Sequence, residues 1–258
     1  MKVVILAGGF GTRIRDVSDD IPKPMIPIGR YPIVWHIMKW YAKFGHKDFV
    51  LCLGHKGQVI KSFFLAYEAH TRDITLTLGN GGGIAYHSDH DESDWRITLA
   101  DTGLNTMTGA RIKRIRKYVE GEEFMLTYGD GVSDVDIDKL LAFHRAHGKI
   151  LTVTGVRPPG RFGEIEANDT GVVSGFNEKP QATGGRISGG YFVASARLFD
   201  YLDDNEDLVF EKGPLESLVR DQQLMMFEHS GFWQPMDTSR DYQFLNALFA
   251  QGNAPWSP

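Results

Sequence analysis

Residues 3–13 read VVILAGGFGTR, five apolar residues running into three glycines, a threonine and an arginine. The apolar run has the length of a buried strand, and a strand without polar alternation is one covered on both faces. Glycines directly after it tolerate positive φ and let a ligand approach the main chain closely. Where such a loop opens a helix, its N–H groups point at the occupant, most often phosphate. Taken alone, GG-x-GTR marks either a phosphate loop of unspecified type or a plain structural turn.

Two familiar phosphate loops are excluded. The dinucleotide fingerprint fails because Ile14 stands where its third glycine belongs, and no acidic residue closes the next strand at the expected distance. A Gly-Lys-Ser/Thr step, which the P-loop requires, does not occur in the chain. A nicotinamide-dependent oxidoreductase is accordingly disfavoured.

Outward from this loop, strands and helices alternate. KVVILA and DFVLCLG read as strands, YPIVWHIMKWYAKFG as an amphipathic helix ending at Gly45, and QVIKSFFLAYEAH as a second helix. EFMLTYGDG and KILTVTGV are further strands, separated by the helix VDIDKLLAFHRAHG, with a basic helix over residues 110–119. This rhythm predicts an α/β fold with a Rossmann-like, mainly parallel sheet and helices on both faces. Residues 157–195 are richer in Gly and Pro with short alternating pieces, which predicts a small β-rich subregion. The chain reads as one domain in three parts: a nucleotide-binding part at 1–156, the β-rich part at 157–195 and C-terminal helices at 196–258. Residues 79–95 read as a surface loop open to a neighbouring subunit.

Composition narrows the function. The chain has 258 residues, 42% of them hydrophobic, and one cysteine, Cys52, inside an apolar strand, which suits a core residue in a reducing compartment. No apolar run reaches the length of a membrane span and no signal peptide opens the chain, so a cytoplasmic protein is expected. A formal net charge of -5 argues against nucleic-acid binding. Any phosphate ligand must therefore be held by local cations and a metal ion.

Lys23 is one such cation. In IPKPM it stands between two prolines, whose fixed φ stiffens the loop that presents it. Asp130, in YGDG, leaves a buried strand at the carboxyl end, where open α/β sheets bind ligands; a turn aspartate is the plainer alternative. Asp237, in PMDT, precedes a helix that begins near Ser239 and could serve as its cap instead. Two carboxylates from distant parts of a chain can hold Mg²⁺ and leave positions for water and phosphate oxygens. Lys113, Arg114, Arg116 and Lys117 crowd the basic helix and read as surface charge. His144 and His147, one turn apart, read as packing or surface residues.

LAGGFGTR followed by PKPM resembles the signature of the sugar-1-phosphate nucleotidyltransferases. MTGARIKRI, LTYGDGVSDVDI, PPGRFG, FNEKP and GFWQPMDTSRD resemble one branch of that family, the glucose-1-phosphate cytidylyltransferases, and the resemblance runs from the first residue to about Trp256. It implies the reaction of CTP with α-D-glucose 1-phosphate to give CDP-glucose and pyrophosphate, with Mg²⁺ on Asp130 and Asp237. It further implies that the backbone of Leu6, Ala7, Gly8, Gly9, Gly11 and Thr12 lines the base and ribose, with Gly129 close to the nucleotide. Arg13 would hold the leaving pyrophosphate and Lys23 the reacting phosphates, and with Asp130 these form the catalytic set. Arg111 would lie near the cytosine, with Thr106 beside it. Glu178 would accept from sugar hydroxyls, Lys179 would meet the sugar phosphate, and Ser188 with Gly189 would face the sugar. A homo-oligomer, trimeric or hexameric, and a place in lipopolysaccharide or O-antigen precursor synthesis complete the implied picture.

The chain departs from that family at two positions. Ser188 stands where an asparagine is usual, and Ile21 where a lysine often precedes KPM. A hydroxyl presents a smaller hydrogen-bonding face than an amide. The choice of sugar therefore stays open between glucose and another hexose. A nucleotidyltransferase for another nucleoside triphosphate, or a non-catalytic nucleotide sensor on the same fold, are the competing readings.

Overall fold

The strand Lys2–Ala7 is apolar throughout because both of its faces are covered. Val3, Ile5 and Ala7 enter one core cluster, and Val4 and Leu6 enter another on the opposite face. The first cluster takes Ile33, Ile37 and Tyr41 from the helix Ile33–Lys43, Ile137 and Leu140 from Ile137–His147, and Leu245 from Ser239–Ala250. The second takes Ile112 from Thr108–Arg114, Phe199 from the turn Ala196–Tyr201 and Leu218 from Gly213–Arg220. Cys52 lies in this second cluster, where burial pushes its thiol up to about 12.

In the computed structural model, which describes residues 1–9, 21–119, 121–158, 164–167, 173–177 and 185–258, seven strands form one sheet. Their order is Leu224–Glu228, Leu151–Val156, Ile187–Ala194, Phe124–Tyr128, Lys2–Ala7, Asp48–Leu53 and Arg96–Asp101. Lys2–Ala7 pairs in parallel with both Asp48–Leu53 and Phe124–Tyr128. Ile187–Ala194 alone runs against its neighbours. This is the mainly parallel mixed sheet that the alternation of strands and helices predicts, with helices on both faces.

Three details differ from the sequence reading. The 79–95 stretch is not wholly loop: Ile84–His87 pairs antiparallel with Asp73–Leu76. Its far end is pinned by Lys39 Nζ to the buried Glu92 Oε1 (2.5 Å) and by Lys47 Nζ to Asp94 Oδ2 (2.6 Å). Within 157–195, Glu164–Ala167 and Val173–Asn177 form a separate antiparallel ladder, but Ile187–Ala194 lies in the main sheet because its buried residues Tyr191–Ala194 pack into both cores. The C-terminal part adds the edge strand Leu224–Glu228 and the short strand Trp233–Pro235 to its helices. No helix among the described residues is long and apolar enough to cross a membrane.

Candidate active site

A cavity of about 440 Å³ opens at the carboxyl ends of Lys2–Ala7 and Phe124–Tyr128. That size lies within the range of small-molecule sites, about 300–1,000 Å³. Nine of the residues singled out in the sequence line it: Leu6, Gly8, Gly9, Lys23, Thr106, Arg111, Gly129, Asp130 and Asp237.

At one end three charges meet. The Lys23 ammonium donates to Asp130 Oδ2 at 2.5 Å and to Asp237 Oδ1, residues 107 and 214 positions away along the chain. Lys23 sits in the one-turn 3₁₀ segment Lys23–Met25, entered through the extended Pro22, so the prolines do fix its presentation. Burial opposes its charge, but the two carboxylates prevail and hold its pKa above the ordinary lysine value.

The two aspartates converge through a short ladder. Trp233–Pro235 pairs antiparallel with Gly131–Ser133, and Met236 N–H donates to the Asp130 carbonyl at 2.8 Å. That register delivers Asp237 beside the turn that follows Phe124–Tyr128. The capping role open to Asp237 falls to its neighbours: Thr238 caps Ser239–Ala250 in a reciprocal box with Asp241. Asp241 Oδ2 also accepts the Asp237 N–H at 3.1 Å. The Asp237 carboxylate is thereby left to Lys23.

These donors suit a hard divalent cation. Two carboxylates already share one positive group, and both offer only oxygen. Among the described residues no cluster of three or more His, Cys, Asp or Glu forms a metal cage. Two carboxylates with positions left for water or phosphate oxygens form a donor set usual for Mg²⁺.

At the other end stands Arg111. The basic helix suggests an exposed arginine by composition, yet Arg111 is 4% exposed. Its Nη1 donates to the Leu53 carbonyl (3.0 Å), Thr102 Oγ1 (2.8 Å) and the Gly103 carbonyl (2.8 Å), and its Nη2 to the carbonyls of Gly8 (3.0 Å) and Leu104 (3.3 Å). Burial lowers its pKa from the ordinary value. Arg111 therefore gathers three loops into one wall and has its terminal nitrogens engaged there. A Cβ on Gly8 or Gly54 would stand within 2.5 Å of the guanidinium, so a larger residue at either position would push Arg111 off these carbonyls.

Two of its basic neighbours are engaged as well. Lys113 Nζ donates to the Leu202 carbonyl at 2.7 Å, and Arg114 Nη1 donates to the Thr102 carbonyl and to Thr106 Oγ1, each at 2.8 Å. Lys113 is only partly exposed, which corrects its reading as surface charge, whereas Arg114, Arg116 and Lys117 are exposed as expected.

Several expected residues stand elsewhere. Ala7 is buried and does not line the cavity. Ser188 is exposed and outside the cavity wall, its Oγ accepting from Gly190 N–H at 3.3 Å. Gly189 is buried, and its carbonyl accepts from Trp233 Nε1 at 2.7 Å. Gly11, Thr12, Arg13, Glu178 and Lys179 lie outside the described residues.

Sequence reasoning missed Tyr128, Asn105, Met107, Thr108 and Pro24, all of which line the cavity. Tyr128 was legible as the first residue of YGDG. Thr108 and Met107 flank positions already singled out, but nothing in their spacing says which of them face a ligand. Gly129 has its reason in the same wall: a Cβ there would stand 2.9 Å from the Leu6 carbonyl.

Comparison with known proteins agrees with this architecture. Residues 2–247 match the family described as Nucleotidyl transferase. The chain is 47% identical over 257 residues to glucose-1-phosphate cytidylyltransferase of Salmonella typhimurium, covering 99% of this chain and 98% of that one. It is 41% identical over 256 residues to the probable glucose-1-phosphate cytidylyltransferase of Bacillus subtilis, covering 99% of each. Among solved structures, UDP-glucose pyrophosphorylase complexed with UDP-glucose is similar with a TM-score of 0.69 at 13% identity, covering 97% of this chain and 98% of that one. HddC from Yersinia pseudotuberculosis complexed with GMP-PN is similar with a TM-score of 0.67 at 24% identity, covering 96% and 99%. These two structures share the fold.

Proposed function

Since the chain belongs to the nucleotidyl transferase family, we propose that it transfers a cytidylyl group from CTP to α-D-glucose 1-phosphate, releasing pyrophosphate and CDP-glucose. The observation that carries this reading is the full-length similarity, at 47% identity, to the Salmonella enzyme of that activity. The cavity supports it with a cation and two carboxylates at one end and a glycine-lined wall ordered by Arg111 at the other.

The attacking oxygen of the sugar phosphate is already anionic, so no side chain need remove a proton. The obstacle is the approach of one phosphate to another in line, and catalysis rests on charge neutralisation and positioning. A divalent cation, Mg²⁺ in this reading, neutralises charge on the phosphate oxygens when bound. Asp130 and Asp237 would hold it. Lys23, whose ammonium lies between these carboxylates, would meet the reacting phosphates. Gly8, Gly9 and Gly129 admit the nucleotide to the main chain, and Arg111 orders the carbonyls of the base end. Arg13 steadies the leaving pyrophosphate, Glu178 accepts from sugar hydroxyls, Lys179 meets the sugar phosphate, and Ser188 with Gly189 border the sugar. The enzyme works in this reading as a cytoplasmic homo-oligomer.

Product analysis tests the proposal: the protein is incubated with glucose 1-phosphate, Mg²⁺ and either CTP, UTP or dTTP, and nucleotide sugars are separated and identified. CDP-glucose as the main product is expected. A preference for another nucleotide, or no sugar nucleotide from any of them, would contradict it.

A further inference from the structure

Glu211 lies just before the helix Gly213–Arg220, outside the cavity, yet it binds two of the cavity's walls. Its Oε2 accepts from Thr108 Oγ1 at 2.7 Å, and its Oε1 accepts from the Tyr128 hydroxyl. Thr108 opens the helix that carries Arg111. Tyr128 ends the strand that leads into Gly129 and Asp130. One carboxylate thus spans from the Arg111 side of the cavity to the metal-carboxylate side.

Both partners are otherwise fixed. Thr108 Oγ1 also accepts from the Phe210 N–H at 2.9 Å, so the hydroxyl is oriented to donate toward Glu211. The Tyr128 ring lies over Gly190, where φ is +77 and a Cβ would stand 2.4 Å from ring atom Cδ2. The same segment closes the start of the Thr108–Arg114 helix: Met107 N–H donates to the Glu206 carbonyl (2.9 Å) and Gly109 N–H to the Leu208 carbonyl (2.8 Å). These N–H groups are engaged by protein, and the helix start serves as a wall that Glu211 fastens to Tyr128.

We propose that Glu211 is a positioning residue for the transfer reaction, setting the separation between the nucleotide wall and the Asp130 wall through Thr108 and Tyr128. This rests on the cytidylyl-transfer reading above. Its chemistry is a double charge-assisted hydrogen bond, of the kind worth more than neutral ones. Misplacement of reacting groups by about 1 Å can cost on the order of 100-fold in rate. No substrate contact is assigned to Glu211 itself.

The test is a double-mutant cycle on the full-length protein with E211A, Y128F and the combined variant, and with E211Q as the conservative partner. Calorimetric titration with CTP gives both affinity and the fraction of competent sites, so kcat is expressed per folded site. The expected kcat of E211A is lower by about 30-fold, and the combined variant is no slower than E211A, because the pair acts as a unit. E211Q, whose amide oxygen accepts from one hydroxyl while its N–H donates to the other, returns kcat to within about threefold of wild type. In CTP affinity each single change costs about fivefold, and the double variant also about fivefold rather than about 25-fold. E211A with wild-type kcat, a combined loss equal to the product of the single losses, or no recovery in E211Q would overturn the proposal. Should wild type make no CDP-glucose, the transfer reading falls, while the affinity cycle still decides whether Glu211 couples to Tyr128.

Discussion

Gly8 packs against the guanidinium of Arg111: a Cβ on Gly8 would stand 2.4 Å from Arg111 Cζ, and Nη2 donates to the Gly8 carbonyl at 3.0 Å. The glycine after the first strand is therefore matched to a side chain of this protein. Gly8→Ala should displace the guanidinium, break the wall it orders and weaken CTP binding by at least about tenfold. Calorimetry with CTP measures this directly. An Ala variant that binds CTP as wild type does would show that the wall is not needed. Arg111→Ala leaves the carbonyls it collects without their donor and should cost about 3 kcal/mol of stability in urea unfolding.

Lys23 holds the two aspartates together, and in the proposed reaction a metal ion would share them. Replacing it by methionine should lower kcat by about 1,000-fold, as expected when a charge-stabilising donor is lost from a transferring phosphate. The same variant should bind Mn²⁺ more tightly in the absence of nucleotide, because the competing ammonium is gone. Equilibrium dialysis decides the second point, and unchanged Mn²⁺ affinity would count against competition.

Asp241 connects helix stability to the site. It accepts from the backbone of Asp237 and Thr238 and from Gln234 Nε2. Asp241→Ala should destabilise the protein by about 1 kcal/mol, as loss of a helix cap does. It should also weaken divalent-ion binding, since Asp237 loses its anchor. A melting curve lowered with metal affinity intact would confine Asp241 to the cap alone.

Two buried histidines set an acid limit. Burial lowers His36, which contacts the Ile28 carbonyl at 2.9 Å, and His144, which shares Thr152 Oγ1 with His147, from 6.5 to about 4 each. Glu123 lies 3.6 Å from His144 and partly opposes the shift. The unfolded chain binds these protons first as pH falls, so the stability that neutral burial retains is fully present above pH 6.5. It is lost progressively between about pH 6.5 and 4, by up to about 3 kcal/mol for each histidine. Urea midpoints at pH 7 and pH 4.5 should show this slope, and His144→Gln should flatten it. A midpoint independent of pH across that window would contradict the assignment.

The fold was legible because its signals are local. Apolar runs of strand length, glycine after Lys2–Ala7 and Gly45 at φ +80 after the first helix each follow from neighbouring residues alone. The charged end of the site was legible too, since Lys23 between prolines and Asp130 at a strand end carry their reasons with them. The rest depended on distant partners. Arg111 and Lys113 look alike in sequence, and only packing against the Leu53, Gly103 and Leu202 carbonyls separates them from solvent-facing charge. Glu211 and Tyr128 meet across 83 positions, and no spacing rule announces that. The 79–95 stretch hid a strand because its pairing partner begins before the glycines that give it a loop composition.

Pyrophosphate release from CTP in the presence of Mg²⁺, measured with and without glucose 1-phosphate, tests the central claim most directly. Release that depends on the sugar phosphate, and that disappears in Asp237→Asn, is the predicted result. Release equal in both reactions, or none while CTP still binds, would contradict cytidylyl transfer to glucose 1-phosphate.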